Sequence, residues 1–205
     1  MATPTDQYLQ PVIPGFRDTH VYPLTRDLAQ ARRLARGHGG HAVLYACATP
    51  ACREVAQLIQ TELAPIGISV EIKAMSGYAL FNRAGIRGEP FDMALDVWYP
   101  VYPDPSDVLN YLFDGRSIRA IANSNHSYFD DPVYNRKLAT AARLTGPRRY
   151  TAYQALETDL LRNTAPSAPL LNWQEAEFFS ARIGCRVFQP IYQIDLAALC
   201  LKRRR

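Results

Sequence analysis

Asp92, Asp96, Asp104 and His126 are the side chains suited to proton transfer, and Trp98, Tyr99 and Tyr102 are those suited to stacking on a ligand. Acid and base work needs two titratable groups whose surroundings push their pKa values apart. Asp92 and Asp96 fall on one strand face with Ala94, whereas Asp104 stands in the loop that follows. Salt bridges and loop hydrogen bonds are the simpler roles for all three. The aromatics alternate with Pro100, Pro103 and Pro105, which fix φ and restrict the residue before each. Two arrangements fit that pattern: a rigid loop that presents Trp98, Tyr99 and Tyr102 outward, or a buried aromatic knot at a strand end. Asp104, just before a helix start, is expected to accept main-chain N–H groups and fix the loop.

A strand and a helix must carry this loop. Residues 91–98 read as a central strand, and Ser106 or Asp107 as the N-cap of an apolar helix. Upstream, Thr25 caps a helix over residues 26–36, which Gly37, Gly39 and Gly40 end. Residues 41–47 read as a buried strand. Residues 52–64 form a helix with Val55, Leu58, Ile59 and Leu63 on one face, and residues 68–72 alternate as the next strand. Strand, helix and strand at this spacing make a βαβ unit, which crosses over right-handed. Residues 76–83 suit a short helix. Downstream, residues 117–128 form a polar loop with Asn123, Asn125 and His126. One helix then starts at Asp131-Pro132 and another covers residues 150–161, with Gly146-Pro147 as the separator. Residues 170–173 and 177–179 read as strands, and the apolar stretches 186–192 and 196–201 are poorly patterned. Pro4, Pro11, Pro14, Gly15 and Pro23 make residues 1–24 an extended lead-in.

With 205 residues, 48% apolar and 20% charged, the chain has enough apolar residues for a sizeable core. Lys202 to Arg205 supply a charge equal to the whole formal net of +4, so the remainder is nearly neutral and no nucleic-acid partner is expected. Met1 to Asp6 lack a signal-peptide pattern, and no apolar run is long enough to span a membrane. Cys47, Cys52, Cys185 and Cys200 lack zinc-ribbon spacing, so no metal is expected; two local disulfides and four buried thiols both fit them. There is no P-loop, no G-x-G-x-x-G after a strand, no H-E-x-x-H and no G-x-S-x-G. A hydrolase using Asp92, Asp96 or Asp104 with His126 is therefore the weakest reading. No enzyme activity, catalytic residue or cofactor is expected.

Several stretches carry a resemblance. The order of Asp6-Gln7-Tyr8-Leu9-Gln10-Pro11, Asp27-Leu28-Ala29-Gln30-Ala31, Ala56-Gln57-Leu58-Ile59-Gln60 with Ile66-Gly67-Ile68, and Phe91-Asp92-Met93-Ala94 resembles the extracellular solute-binding proteins of family 5. These are the dipeptide-, oligopeptide- and nickel-binding receptors of ABC importers. Trp98 through Pro105, and Asn123-Ser124-Asn125 before Phe129-Asp130-Asp131-Pro132, match most closely. The resemblance covers the C-terminal part of such a receptor. It implies an α/β, periplasmic-binding-protein-like lobe, a mixed sheet flanked by helices, forming one lobe of a two-lobe trap. Residues 1–24 would be the hinge-proximal lead-in, 25–172 the ligand-binding lobe, and 173–205 a segment returning to a missing N-terminal lobe.

The implied partners are a small solute, peptide-like or uncharged and apolar, the missing lobe and an ABC permease, at the periplasm or cell surface for the full-length protein. By resemblance Trp98 matches a tryptophan that lines the peptide pocket, and Asp104 the aspartate of an Asp-Pro step. Val101 stands where peptide-binding members carry an aspartate for the ligand's α-amino group. Their carboxylate-binding arginine has no counterpart in Ala48-Thr49-Pro50-Ala51. The expected ligand-binding set is Trp98, Tyr99, Val101, Tyr102, Asp104, Asn125 and Tyr45. The alternative is a protein-interaction module that keeps the fold without transport.

Overall fold

In chain order the first elements of the computed structural model are β1 (Ala2–Pro4), α1 (Leu28–Ala35), β2 (Gly40–Cys47), α2 (Pro50–Leu63), β3 (Ile68–Met75), α3 (Gly77–Ala84) and β4 (Met93–Ala94). They are followed by α4 (Ser106–Phe113), α5 (Pro132–Ala142), α6 (Gly146–Asn163), β5 (Leu171–Trp173), β6 (Ile183–Gly184), β7 (Phe188–Gln189), β8 (Gln193–Ile194) and β9 (Cys200–Leu201). The described residues are 2–174, 176–189, 191 and 193–202. The basic run Arg203 to Arg205, and Pro190 and Tyr192 of the poorly patterned stretch, lie outside them. Among the described residues no helix is long and apolar enough to cross a membrane. Two compact units divide the chain: a sheet unit, Thr25–Trp98 and Asn110–Thr140, and a terminal unit, Met1–Leu24, Tyr99–Leu109 and Ala141–Arg205.

The sheet unit is built on a parallel sheet of order β3-β2-β4. Its core joins Leu44 and Ala46 of β2, Val70 of β3 and Cys52 and Ala56 of α2, with Ile59, Leu63 and Met93 packed against them. The buried stripe of α2 therefore runs through Cys52, Ala56, Ile59 and Leu63, and Leu58, expected on it, is 59% exposed. The helix starts two residues earlier than its pattern suggests, because Thr49 caps it and Pro50 fills the first position, where no N–H is needed. Asp27, not Thr25, caps α1 by accepting the Gln30 N–H at 2.8 Å.

The strand expected over residues 91–98 is only the two residues of β4. Polar side chains intercept the ladder on either side. Asp92 Oδ2 accepts the Val43 N–H at 2.7 Å, and Asp96 Oδ1 accepts the Val97 N–H at 2.8 Å. Main-chain bonds from Asp92 to Val43 O and from Leu95 to Tyr45 O complete the pairing.

In the terminal unit β1 pairs antiparallel with β5, β6 with β9 and β7 with β8. α6 begins at Gly146, so the expected separator Gly146-Pro147 is its first turn. No strand forms over 177–179, where Phe178 is 93% exposed. Both cysteine pairs are bonded, Cys47 to Cys52 in the sheet unit and Cys185 to Cys200 in the terminal unit, with Cα atoms 5.6 and 5.3 Å apart.

Candidate binding loop and its supports

Residues 99–107, in the terminal unit, leave the strand region through Pro100 and enter α4. Three carboxylate contacts hold the loop closed on itself. Asp104 Oδ1 accepts the Ser106 N–H at 2.9 Å and the Ser106 hydroxyl at 2.6 Å, so Asp104 supplies the cap expected of Ser106 or Asp107. Asp107, 0% exposed, accepts the Val101 N–H at 2.9 Å. Asp104 N–H closes a further turn onto Tyr102 O at 2.9 Å.

The remaining support comes from far along the chain. Arg149 in the first turn of α6 grips Asp104 in a two-pronged contact, Nε to Oδ2 at 2.8 Å and Nη2 to Oδ1 at 2.7 Å. Its Nη1 donates to the Ala142 and Ala141 carbonyls at 2.7 and 3.2 Å, and the guanidinium lies 5.0 Å from the Tyr153 ring centre. Burial pushes the Asp104 carboxyl up, but Arg149 and the Ser106 donors outweigh it and hold the group below its usual range. Asp104 in turn raises Arg149, and burial pushes the Tyr153 hydroxyl up to about 12. With its polar groups so engaged, the loop presents Tyr99, Val101 and Tyr102, which are 67%, 59% and 39% exposed.

Arg149 was not among the expected residues. The signal for it is electrostatic: a cation in the first turn of a helix opposes the helix dipole and calls for an anionic partner.

The other expected residues belong to the sheet unit. Trp98 is half-buried and packs on Tyr111, ring centres 5.8 Å apart. A shallow depression of about 370 Å³ is lined by Asn110, Tyr111, Asp114, Arg116 and Ser117. Tyr45 is fully buried; its hydroxyl donates to Glu89 Oε2 at 2.8 Å, and Arg83 pairs with the same oxygen at 2.8 Å. Arg83 and then Tyr45 lower the Glu89 pKa, while burial raises that of Tyr45. Asn125 is also fully buried and consumed by its own loop. It donates to Phe129 O at 2.9 Å and accepts from Ser127 Oγ and the Phe129 N–H at 2.9 and 3.1 Å.

His126 does meet one of the aspartates. Its Nδ1 is 2.7 Å from Asp96 Oδ2, with the Phe81 ring 5.0 Å away at a T-shaped angle. This is the base and orienting half of a triad. Nucleophile activation needs a hydroxyl or thiol on Nε2, and that atom is buried with no hydrogen-bond partner among the described residues. Nor do the described residues contain a group of three or more His, Cys, Asp or Glu able to hold a metal.

The fold is that of periplasmic-binding-protein-like α/β proteins. Clavulanic acid biosynthesis oligopeptide binding protein 2 superposes with a TM-score of 0.86 at 23% identity over 98% of this chain and 39% of its own. The dipeptide binding protein from Pseudoalteromonas sp. SM9913, in complex with Met-Leu, gives 0.79 at 20% identity, covering 98% and 40%. The ABC transporter-associated periplasmic binding protein DppA from Helicobacter pylori, in complex with the peptide STSA, gives 0.72 at 24%, covering 83% and 33%. The chain spans about two fifths of the length of the first of these. In sequence, residues 1–119 match the profile of bacterial extracellular solute-binding proteins, family 5 Middle, and the chain belongs to that family. A search of curated proteins by sequence found no match.

Proposed function

We propose that this chain is the C-terminal-lobe part of the solute-binding component of an ABC-type importer, and that it captures a small solute in a cleft completed by a second lobe. The observation that carries this reading is the pinned loop. A loop held by Asp104, Asp107 and Arg149 keeps Tyr99, Val101 and Tyr102 in water, an arrangement that loses little conformational entropy when a ligand stacks on it. Family membership, and neighbours named for peptide binding, support the same reading.

Val101 narrows the solute. Its side chain offers no charge, and its N–H is already donated to Asp107. A solute held by aromatic stacking, uncharged or peptide-like without a charged α-amino anchor, fits best. The complementary lobe would also cover the apolar residues of the C-terminal segment, among them Phe178, Phe188, Leu196 and Leu201, each at least 65% exposed. Two disulfides suit an oxidising compartment such as the periplasm or cell surface, where an ABC permease would receive the closed complex.

Thermal shift with a solute library, run on this chain alone and mixed with the complementary lobe, tests the proposal. Saturating solute should raise the melting temperature by several degrees only when both lobes are present, and Trp98→Ala should weaken that response about tenfold. No solute response in either sample, with the chain instead binding the lobe or another polypeptide, supports the protein-interaction module and overturns transport.

A further inference from the structure

Glu157 lies on the inward face of α6 beside Tyr153, Leu156, Leu160 and Leu161, and is 0% exposed. Its Oε1 accepts the Leu9 N–H at 2.6 Å. Oε2 is buried and has no hydrogen-bond partner among the described residues. The groups facing it across the interface come from residues 6–22 of the lead-in. Asp6, 7% exposed, accepts the Tyr22 N–H at 2.8 Å. Gln7 donates to Arg17 O at 2.6 Å and accepts the Thr19 N–H at 3.2 Å. Tyr8 donates its hydroxyl to Ser167 O at 2.8 Å, and Tyr22 donates to the Leu161 carbonyl.

Burial is the largest influence on this carboxyl and pushes it up to about 7. The Leu9 and Tyr8 N–H groups and the Gln7 side chain pull it down, and the charged neighbour, Asp6, is of like sign and adds to the rise. An ionised carboxylate out of reach of water, beside a second carboxylate, is the state that burial penalises even where N–H donors face it. Leu9 and Ile13, 0% and 2% exposed, are the apolar anchors of the same segment. We infer that Glu157 is a proton-dependent latch: its protonated carboxyl holds residues 6–13 of the lead-in against α6, and loss of the proton loosens that segment.

The sign follows from linkage. The carboxyl binds its proton more tightly in the latched form than in an opened, hydrated one, where it titrates near 4.5. Latching is therefore complete below that value and weakens progressively as pH rises to about 7. This device stands independently of the transport reading, since it lies wholly in the terminal unit and uses no solute.

Hydrogen exchange on the full chain at pH 5.5, 7 and 8.5, corrected for intrinsic exchange, tests it. Protection of residues 6–13 should fall by about tenfold or more from the lowest to the highest pH, while β2 holds. Glu157→Gln should keep the segment protected at pH 8.5, and Asp6→Asn, which removes the like charge, should move the transition to lower pH. Protection that ignores pH, an unaltered profile in Glu157→Gln, or an unmoved transition in Asp6→Asn overturns the latch. The wild-type profile and Asp6→Asn decide the question even where Glu157→Gln fails to fold.

Discussion

At Asp104 two opposed effects meet in one carboxylate: burial disfavours its charge, and Arg149 with Ser106 favours it more. The side chains of Asp104 and Arg149 are only 21% and 16% exposed, so removing one partner leaves a charge that water reaches poorly. Arg149→Ala should cost about 2–3 kcal/mol at neutral pH in urea unfolding. Arg149→Lys should rescue little, because an ammonium cannot reproduce the two-pronged contact. The pair's stabilisation is present above the unfolded aspartate value and is lost as pH falls through the depressed folded one. Wild-type stability should therefore drop below about pH 4 on this account, and Arg149→Ala should flatten that limb. A variant as stable as wild type at both pH values would mean that the loop does not depend on the pair. In the sequence, the bracing role of Asp104 was legible from its place before a helix start. Its partner was not, because 45 residues separate the two and Arg148 is an equally plausible cation in the same turn.

The loop of residues 117–128, which reads as polar, buries Asn123 and Asn125 almost completely. Asn123 donates its amide to Asn125 O at 2.7 Å, and its main-chain N–H reaches Gly85 O at 3.1 Å. Gly85, at the end of α3, is part of this fit: a Cβ there would meet Asn123 O at 2.7 Å and Asn123 N at 3.0 Å, both main-chain atoms with little room to yield. Gly85→Ala should cost about 1–3 kcal/mol. Gly77→Ala, at the first position of α3 with open space around it, should be neutral or gain a few tenths up to about 1 kcal/mol. Equal melting temperatures for the two variants would refute the close-approach account. Two asparagines bracketing a serine announce a turn. Their burial depends on α3 lying alongside, which no local pattern encodes.

For the molecule as a whole, the two disulfides close loops of different length, with sequence separations of 5 and 15. Loop-closure entropy assigns about 2 kcal/mol to the shorter and about 3 kcal/mol to the longer. Replacing Cys185 and Cys200 by alanine should therefore lower the melting temperature more than replacing Cys47 and Cys52. A melting temperature indifferent to reductant would sink that expectation. The sequence alone determined the short-range features: the β2-α2-β3 order from its hydrophobic periods, the stiffness of the loop from Pro100, Pro103 and Pro105, the missing charge at Val101, and the family resemblance carried by Trp98 to Pro105. Those follow from side-chain period and proline geometry within a few residues. Tertiary structure decided which of many donors and acceptors meet. It brought Asp96 to His126, Asp104 to Arg149 and Glu157 to the Leu9 N–H 148 residues away, paired the cysteines, and cut the expected third strand to Met93–Ala94. The reason is physical: a buried polar group must be matched wherever the chain path brings a partner within about 3 Å, and that path is set by the packing of the whole chain.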